Sequence, residues 1–226
     1  MIDAFRKAVA QLPEPAFRGV LIKSLLLTVV LYAGLLALAF MVVPPLVTFD
    51  WSWLEWLAEA AGLIVFLVAG FLLFPAVATL FVSLFLDEIA EAVERRFYPG
   101  DPPGKSGDNV TAFMLSLRFT VVLVLLNLAA LPFYLLGMIF PPVNIVVFYG
   151  LNGYLLSREY FELVSSRHLP PDAMRRLRRS EQGRLMLTGI VIAFLLTVPV
   201  VNFLAPLVAT AAMVHVFKDL SARHTV

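Results

Sequence analysis

Residues 119–157 read FTVVLVLLNLAALPFYLLGMIFPPVNIVVFYGLNGYLLS, and the fold turns on them. They form 39 residues without a charge, between Arg118 and Arg158. A bilayer core of ~30 Å needs about 20 apolar residues per helical span. The stretch is too long for one crossing and short for two crossings with a turn. Residues 185–217 pose the same question, with 33 uncharged residues between Arg184 and Lys218. Each stretch has a turn near its middle. The first has Pro132 and then Pro141-Pro142-Val143-Asn144; the second has Pro199-Val200-Val201-Asn202 and then Pro206.

Charge placement decides how the stretches run. All 17 Lys and Arg residues fall in four blocks: before or at the start of the first apolar run, between Arg95 and Arg118, between Arg158 and Arg184, and in the tail. If each stretch crosses once, the block from Arg158 to Arg184 lies outside. If each returns to its starting side, every basic residue is cytoplasmic, as the positive-inside rule prefers. The expectation is therefore two helical hairpins that enter from the cytoplasmic side, turn within the membrane and leave. The second has arms too short to reach the far face.

Two ordinary spans precede them. Residues 20–43 are apolar except for Lys23 near the start. A short segment follows with Pro44, Pro45, Asp50, Trp51, Trp53, Glu55, Trp56 and Glu59, three acids and three tryptophans without a basic residue. This reads as an interfacial belt on the opposite side. Residues 57–86 are the next apolar run, which Pro75 is expected to bend. The helix continues through DEIAEAVERRFY, residues 87–98, where Ile89, Ala90, Val93 and Phe97 keep helical spacing. Residues 99–104, PGDPPG, end it.

Composition fits this picture. The chain has 226 residues, 61% apolar and only 15% charged, with mean hydropathy +0.90. A soluble domain carries about 25% charged residues, so a soluble enzyme is not expected. A net charge of +1 gives no pull on nucleic acid. The absence of cysteine removes disulfides and thiol chemistry. Residues 1–15 hold Asp3, Arg6, Lys7, Gln11 and Glu14 and do not read as a signal peptide. No nucleotide-binding, zinc-protease or serine-hydrolase motif occurs, so no enzyme, cofactor or metal is expected. His215 reads as a satisfied interfacial histidine, and His168 and His224 as solvated.

Four sets of residues are candidates for function. Asn144 and Asn202 sit where the return helices begin. As N-caps they would aim two helix N-termini into the membrane interior, where partial positive charge favours anions. The competing reading is that Asn and Pro only close buried turns. Arg18 and Lys23 are a second anion site or else snorkelling anchors. Arg175, Arg176, Arg178 and Arg179 either meet anionic headgroups or anions, or set topology. Asn152, Arg158, Glu159 and Glu162 form either a buried polar network or exposed i,i+4 contacts.

The chain resembles the CysZ-type sulfate permeases, within the broader etoposide-induced-protein family. The resemblance rests on PAFRGVLIKS (residues 15–24), FLDEIAEAVERRFYPGDPPG (85–104), GLNGYLLSREYFELVSSRHL (150–169) and VPVVNFLAPLV (198–208). It implies an inner-membrane protein that admits sulfate for reduction to cysteine, built from two long transmembrane helices and hemi-penetrating hairpins in an oligomer. It also implies a sulfate site around a Gly-Leu-Arg stretch before the first long helix. Here that stretch is Ala16, Phe17 and Arg18, with Gly19 where a second basic residue often follows and Lys23 one turn on.

The expected architecture is thus an all-α integral membrane domain over residues 1–226. Residues 1–19 form a cytoplasmic N-terminus and 20–43 the first transmembrane helix. Residues 57–98 are the second, with its cytoplasmic extension. The first hairpin and extension occupy 109–169, the second hairpin 172–217 and a cytoplasmic tail 218–226. The expected function is a sulfate permease or channel of the bacterial inner membrane, multi-pass and homo-oligomeric, with both termini cytoplasmic. The expected partners are sulfate or a related oxyanion and the lipid bilayer. The alternatives are a scaffold or bilayer-shaping protein without transport, and a transporter of another small oxyanion.

Overall fold

The computed structural model describes residues 2–42, 51–104, 109–199 and 201–224. Pro44, Pro45, Asp50, Lys105 and Val200 lie outside the described residues, as do the side chains of Pro75, Arg118 and His224. Among the described residues all regular structure is helical: α1 (Ile2–Ala10), α2 (Pro15–Val42), α3 (Ser52–Ser83), α4 (Leu86–Phe97), α5 (Asn109–Ile139), α6 (Pro142–Ser165), α7 (Pro171–Ser180), α8 (Gln182–Thr197) and α9 (Val201–His224). Four stretches of the described residues are long and apolar enough to cross a membrane: Pro15–Val42, Trp53–Ser83, Val121–Ile139 and Val201–Arg223. At 1.5 Å per residue the 16 residues of α8 reach only ~24 Å.

The structure corrects the sequence reading at two junctions. The second span is not one helix to residue 98. It begins at Ser52, and α3 stops at Ser83. There the Ser83 hydroxyl donates to the Leu80 carbonyl at 2.6 Å. Leu84 and Phe85 donate three residues back, to Phe81 and Val82, which tightens the last turn. The amphipathic α4 then starts afresh. Likewise α7 is a separate helix, broken from α8 at Glu181, whose φ of −113° and ψ of 22° leave the α-region.

The chain divides into two compact units. One is Phe17–Phe85, which holds α3 and nearly all of α2. Here Tyr32 stacks on Phe74 at 6.2 Å, and Gly70 gives the Tyr32 ring room to approach. Most other large side chains on these helices, such as Leu26, Val30, Ile64 and Phe71, are exposed. Helices apolar all round with uncovered surfaces are suited to lipid rather than water.

The other unit is Met1–Ala16 with Leu86–Val226. Its centre is α9, where Ala205, Leu207, Ala209, Ala211, Ala212 and Met213 are wholly buried. The alanines leave room for neighbours on every side, and α9 packs against α1, α4, α6 and α8. The most extensive packing joins α6 and α8. It depends on Gly153 and Gly189, which touch backbone to backbone, with the Ser157 side chain beside them. Two helical hairpins, α5–α6 and α8–α9, result.

Candidate functional site

The charged end of α6 builds the site. Arg158 and Glu162 lie one turn apart, so both side chains fall on one face. That face turns inward: Arg158 is 5% exposed and Glu162 12%. Arg158 Nε donates to Glu162 Oε1 at 2.8 Å, and Arg178 of α7 donates from NH1 to the same oxygen at 3.0 Å. One carboxylate oxygen thus holds two guanidiniums and ties α7 to α6. Met174 and Leu177, buried on the same helix, fix α7 in place.

Beside this triad lies a cavity of about 270 Å³. Arg158, Arg178, Arg179 and Gln182 supply its polar wall, with Tyr154 and Ser157 from α6. Val122, Leu185 and Met186 supply the apolar wall. Its described lining contains three arginines and no acid. Arginine forks match the oxygens of a tetrahedral oxyanion, and the partly apolar wall lowers the local dielectric. The cavity stands where the uncharged stretch 119–157 meets its first charges.

The other predicted residues take different places. Asn152 and Glu159 do not join the network. The Asn152 amide donates to Phe148 O on its own helix at 2.8 Å, and Glu159, beside the Arg158–Glu162 face, is exposed. Ala16 belongs to one unit, whereas Phe17, Arg18 and Lys23 belong to the other. Phe17 is buried, and Arg18 and Lys23 are exposed on α2. Lys23 Nζ lies 5.4 Å from the Phe85 ring centre.

The asparagines at the hairpin turns do not cap their helices. Pro141 occupies the N-cap of α6, with Pro142 in the first position. Asn144 comes two residues later, against Gly137, and its Oδ1 is buried without a hydrogen-bond partner among the described residues. The N–H groups of Val143 and Asn144 already donate to Phe140 and Pro141. At the second turn Val201 and Asn202 donate to Pro199 and Val198. Pro206 lies inside α9, past its first turn, and has no N–H for the Asn202 carbonyl. The first N–H groups at both turns are thus used locally.

His168 also differs from expectation. It is not solvated: its Nε2 lies 2.8 Å from Glu94 Oε1, and its ring stacks on Phe217. Arg167 completes the cluster, 3.3 Å from Glu94 Oε2 and 3.5 Å from Asp87. Burial pushes the Glu94 carboxyl up, but the His168 bond and the Arg167 charge outweigh it, so its pKa lies below the usual 4.5. His215 is satisfied, as read from sequence: Nδ1 is 2.9 Å from the Tyr98 hydroxyl and Nε2 is 3.4 Å from the Gln11 amide.

Sequence reasoning saw the Arg158–Glu162 spacing but not its third member. The signal for Arg178 was present in the pattern of α7, where Met174 and Leu177 are one turn apart and Arg178 follows on their flank. Gln182, Tyr154 and Ser157 carried no sequence signal.

No curated protein matches the chain. Residues 4–206 match the family model described as sulfate transporter CysZ/etoposide-induced protein 2.4. The match covers all of α2 to α8 and the basic cavity. This all-helical membrane protein belongs to the sulfate transporter CysZ/etoposide-induced protein 2.4 family.

Proposed function

We propose that the chain is a sulfate permease of the bacterial inner membrane, supplying sulfate for assimilation, and that the Arg158 cavity is its binding station. The observation that carries this reading is a cavity whose described lining holds three arginines and no acid, in a member of a transporter-type family. A sulfate dianion entering it accepts hydrogen bonds from the guanidiniums and from Gln182. Glu162, behind the wall, keeps Arg158 and Arg178 aimed and limits how tightly the anion is held, so that it can leave. Exposed Arg18 and Lys23 on α2 supply a further attraction for the anion.

The distribution of basic residues along the chain supports a cytoplasmic side for both termini and for the cavity. The short α8 supports a second hairpin that does not cross, and buried turns call for neighbouring subunits. Among the described residues no charged side chain lies in the middle of an apolar helix, which favours flux down the electrochemical gradient. Inward movement of a dianion against the membrane potential costs ~2.3 kcal/mol per charge per 100 mV. Consumption of sulfate inside offsets that.

The test is uptake of labelled sulfate by proteoliposomes. The expected result is flux above empty vesicles, reduced at least ~10-fold by Arg158→Gln, the equivalent of about 1.4 kcal/mol of binding. Absence of flux overturns the transport reading. Equal flux in wild type and Arg158→Gln overturns the assignment of the cavity. Competition by molybdate, sulfite and thiosulfate ranks sulfate against other oxyanions.

A further inference from the structure

A second polar cavity, of about 500 Å³, lies on the other side of α8 from the first. Gln182, Leu185 and Met186 face the Arg158 cavity, whereas Arg184 and Thr188 face this one. Its other walls are α1, which gives Asp3 and Lys7, and the charged end of α9, which gives Lys218, Asp219 and Arg223. Tyr98 and the buried His215 lie at the back.

The chemistry of this lining is specific. Four cations face two carboxylates, and two of the four are already paired, Lys218 with Asp101 at 2.8 Å and Arg223 with Asp219 at 3.2 Å, which leaves Lys7 and Arg184. Arg184 NH1 is 3.6 Å from Asp219, and its Nε is 3.9 Å from Glu181. Those are ion-pair separations beyond hydrogen-bond reach, so the guanidinium is steered without its N–H donors being occupied by these acids. Lys7, 3.3 Å from Asp3, stands at the same opening. The back wall is aromatic, and its polar atoms are already paired, Tyr98 with His215. A ligand therefore meets cationic donors at the rim and aromatic side chains whose polar atoms are satisfied. The volume is nearly twice that of the first cavity and within the range of ~300–1,000 Å³ that holds small metabolites.

We propose that this cavity is a second anion site, for a small organic anion carrying two or more anionic oxygens, held chiefly by Arg184 and Lys7. The site is separate from the transported anion's station and shares one helix with it. It does not depend on the transport reading, because its test is binding.

The test is thermal unfolding of the full chain in neutral detergent, with citrate as a polycarboxylate probe and adenosine monophosphate as a phosphate-ester probe. Potassium chloride at equal ionic strength is the control. At a hundredfold excess over Kd, a binding probe raises the melting temperature by roughly 5–10 °C. The Lys7→Gln/Arg184→Gln double variant, altered only at half-exposed rim positions, loses at least ~10-fold in probe affinity. Asp3→Asn, which removes a competing charge, binds a few-fold tighter. Arg158→Gln, in the other cavity, responds like wild type. Which probe acts identifies the headgroup chemistry. The proposal is overturned if neither probe exceeds the salt control, if the double variant responds like wild type, or if Arg158→Gln abolishes the response.

Discussion

Gly153 and Gly189 meet backbone to backbone where α6 crosses α8. A Cβ on Gly189 would run into the Gly153 carbonyl oxygen and stand 2.7 Å from the Ser157 Cβ. None of these atoms is the end of a flexible side chain, so the helices must separate. Overpacking of this kind costs ~1–3 kcal/mol. Gly189→Ala is expected to lower the melting temperature by roughly 2–4 °C per kcal/mol in a chain of this size. Gly150, one turn before Gly153, would have nothing within 4 Å of an added Cβ. Gly150→Ala is the control and leaves stability unchanged or slightly raised, because alanine is the better helix former. Thermal unfolding of both variants side by side checks this. Equal destabilisation by the two would contradict a role for close crossing at Gly189.

Glu162 and Glu159 test the network from the acid side. They lie three residues apart on α6, yet only Glu162 faces inward, with both Arg158 and Arg178 on one oxygen. Breaking a buried pair by removing one partner costs ~3–5 kcal/mol, since a charge is left uncompensated. Glu162→Gln keeps the shape and one acceptor, so its loss falls at the lower end of that range. Glu159→Gln stays within about 0.5 kcal/mol, as an exposed position should. Denaturant or thermal unfolding gives both numbers. For the sulfate uptake proposed above, Glu162→Gln has a further signature. With the competing carboxylate gone the anion is held more tightly, so the apparent KM falls even where the maximal rate falls too.

The contrast between those two residues shows how far the sequence could be read. The long uncharged runs and the proline turns between them were enough for an all-helical membrane protein, because both depend on residue type along one dimension. The i,i+4 spacing of Arg158 and Glu162 was legible for the same reason. What faced it was not. Arg178 reaches Glu162 only because α7 folds back after Pro170-Pro171, and that return depends on packing of Met174 and Leu177 against other helices. His168 was misread because its partner Glu94 lies 74 positions away. The asparagines at the turns were given the capping role that their type favours, yet Pro141 and Pro142 already set the start of α6. Local propensity located the turn, and the neighbouring prolines fixed its register three residues earlier.

Glu94 makes the packing around α4 and α9 sensitive to acid. Its folded pKa lies below the ordinary 4.5, with burial opposing the shift and His168 and Arg167 producing it. A depressed carboxyl pKa contributes stability that is fully present above the unfolded value and is lost as pH falls through the folded value. The window therefore begins near pH 4.5 and extends below it. Wild type is expected to lose stability across that window, and Glu94→Gln to lose less across it from a lower starting point. The difference between the two melting-temperature profiles isolates this carboxyl from other acids such as Asp3. Parallel profiles across the acid window would sink the assignment.

Tyr98 fixes the proton on His215. Burial, with Asp101 and Asp219 nearby, raises the pKa of the Tyr98 phenol, so it stays protonated and able to donate to Nδ1, 2.9 Å away. An imidazole that accepts at Nδ1 carries its proton on Nε2 when neutral. The Gln11 amide faces that nitrogen at 3.4 Å, and Gln11 Oε1 is buried without a partner among the described residues. Turning the amide over brings Oε1 to the Nε2–H, which closes a chain from Tyr98 through His215 to Gln11 and leaves the amide NH2 where the oxygen stood. Phe97, edge-on to the ring at 4.9 Å, holds the imidazole plane. Tyr98→Phe removes the donor and leaves Nδ1 unpaired, at a cost of ~1–3 kcal/mol. Nitrogen-15 NMR of histidine-labelled protein is expected to show His215 as the Nε2–H tautomer in wild type. In Tyr98→Phe the signal shifts toward a mixture of tautomers, because Nδ1 has lost the bond that selected it. A wild-type Nδ1–H tautomer would reverse the direction of both hydrogen bonds and refute the assignment.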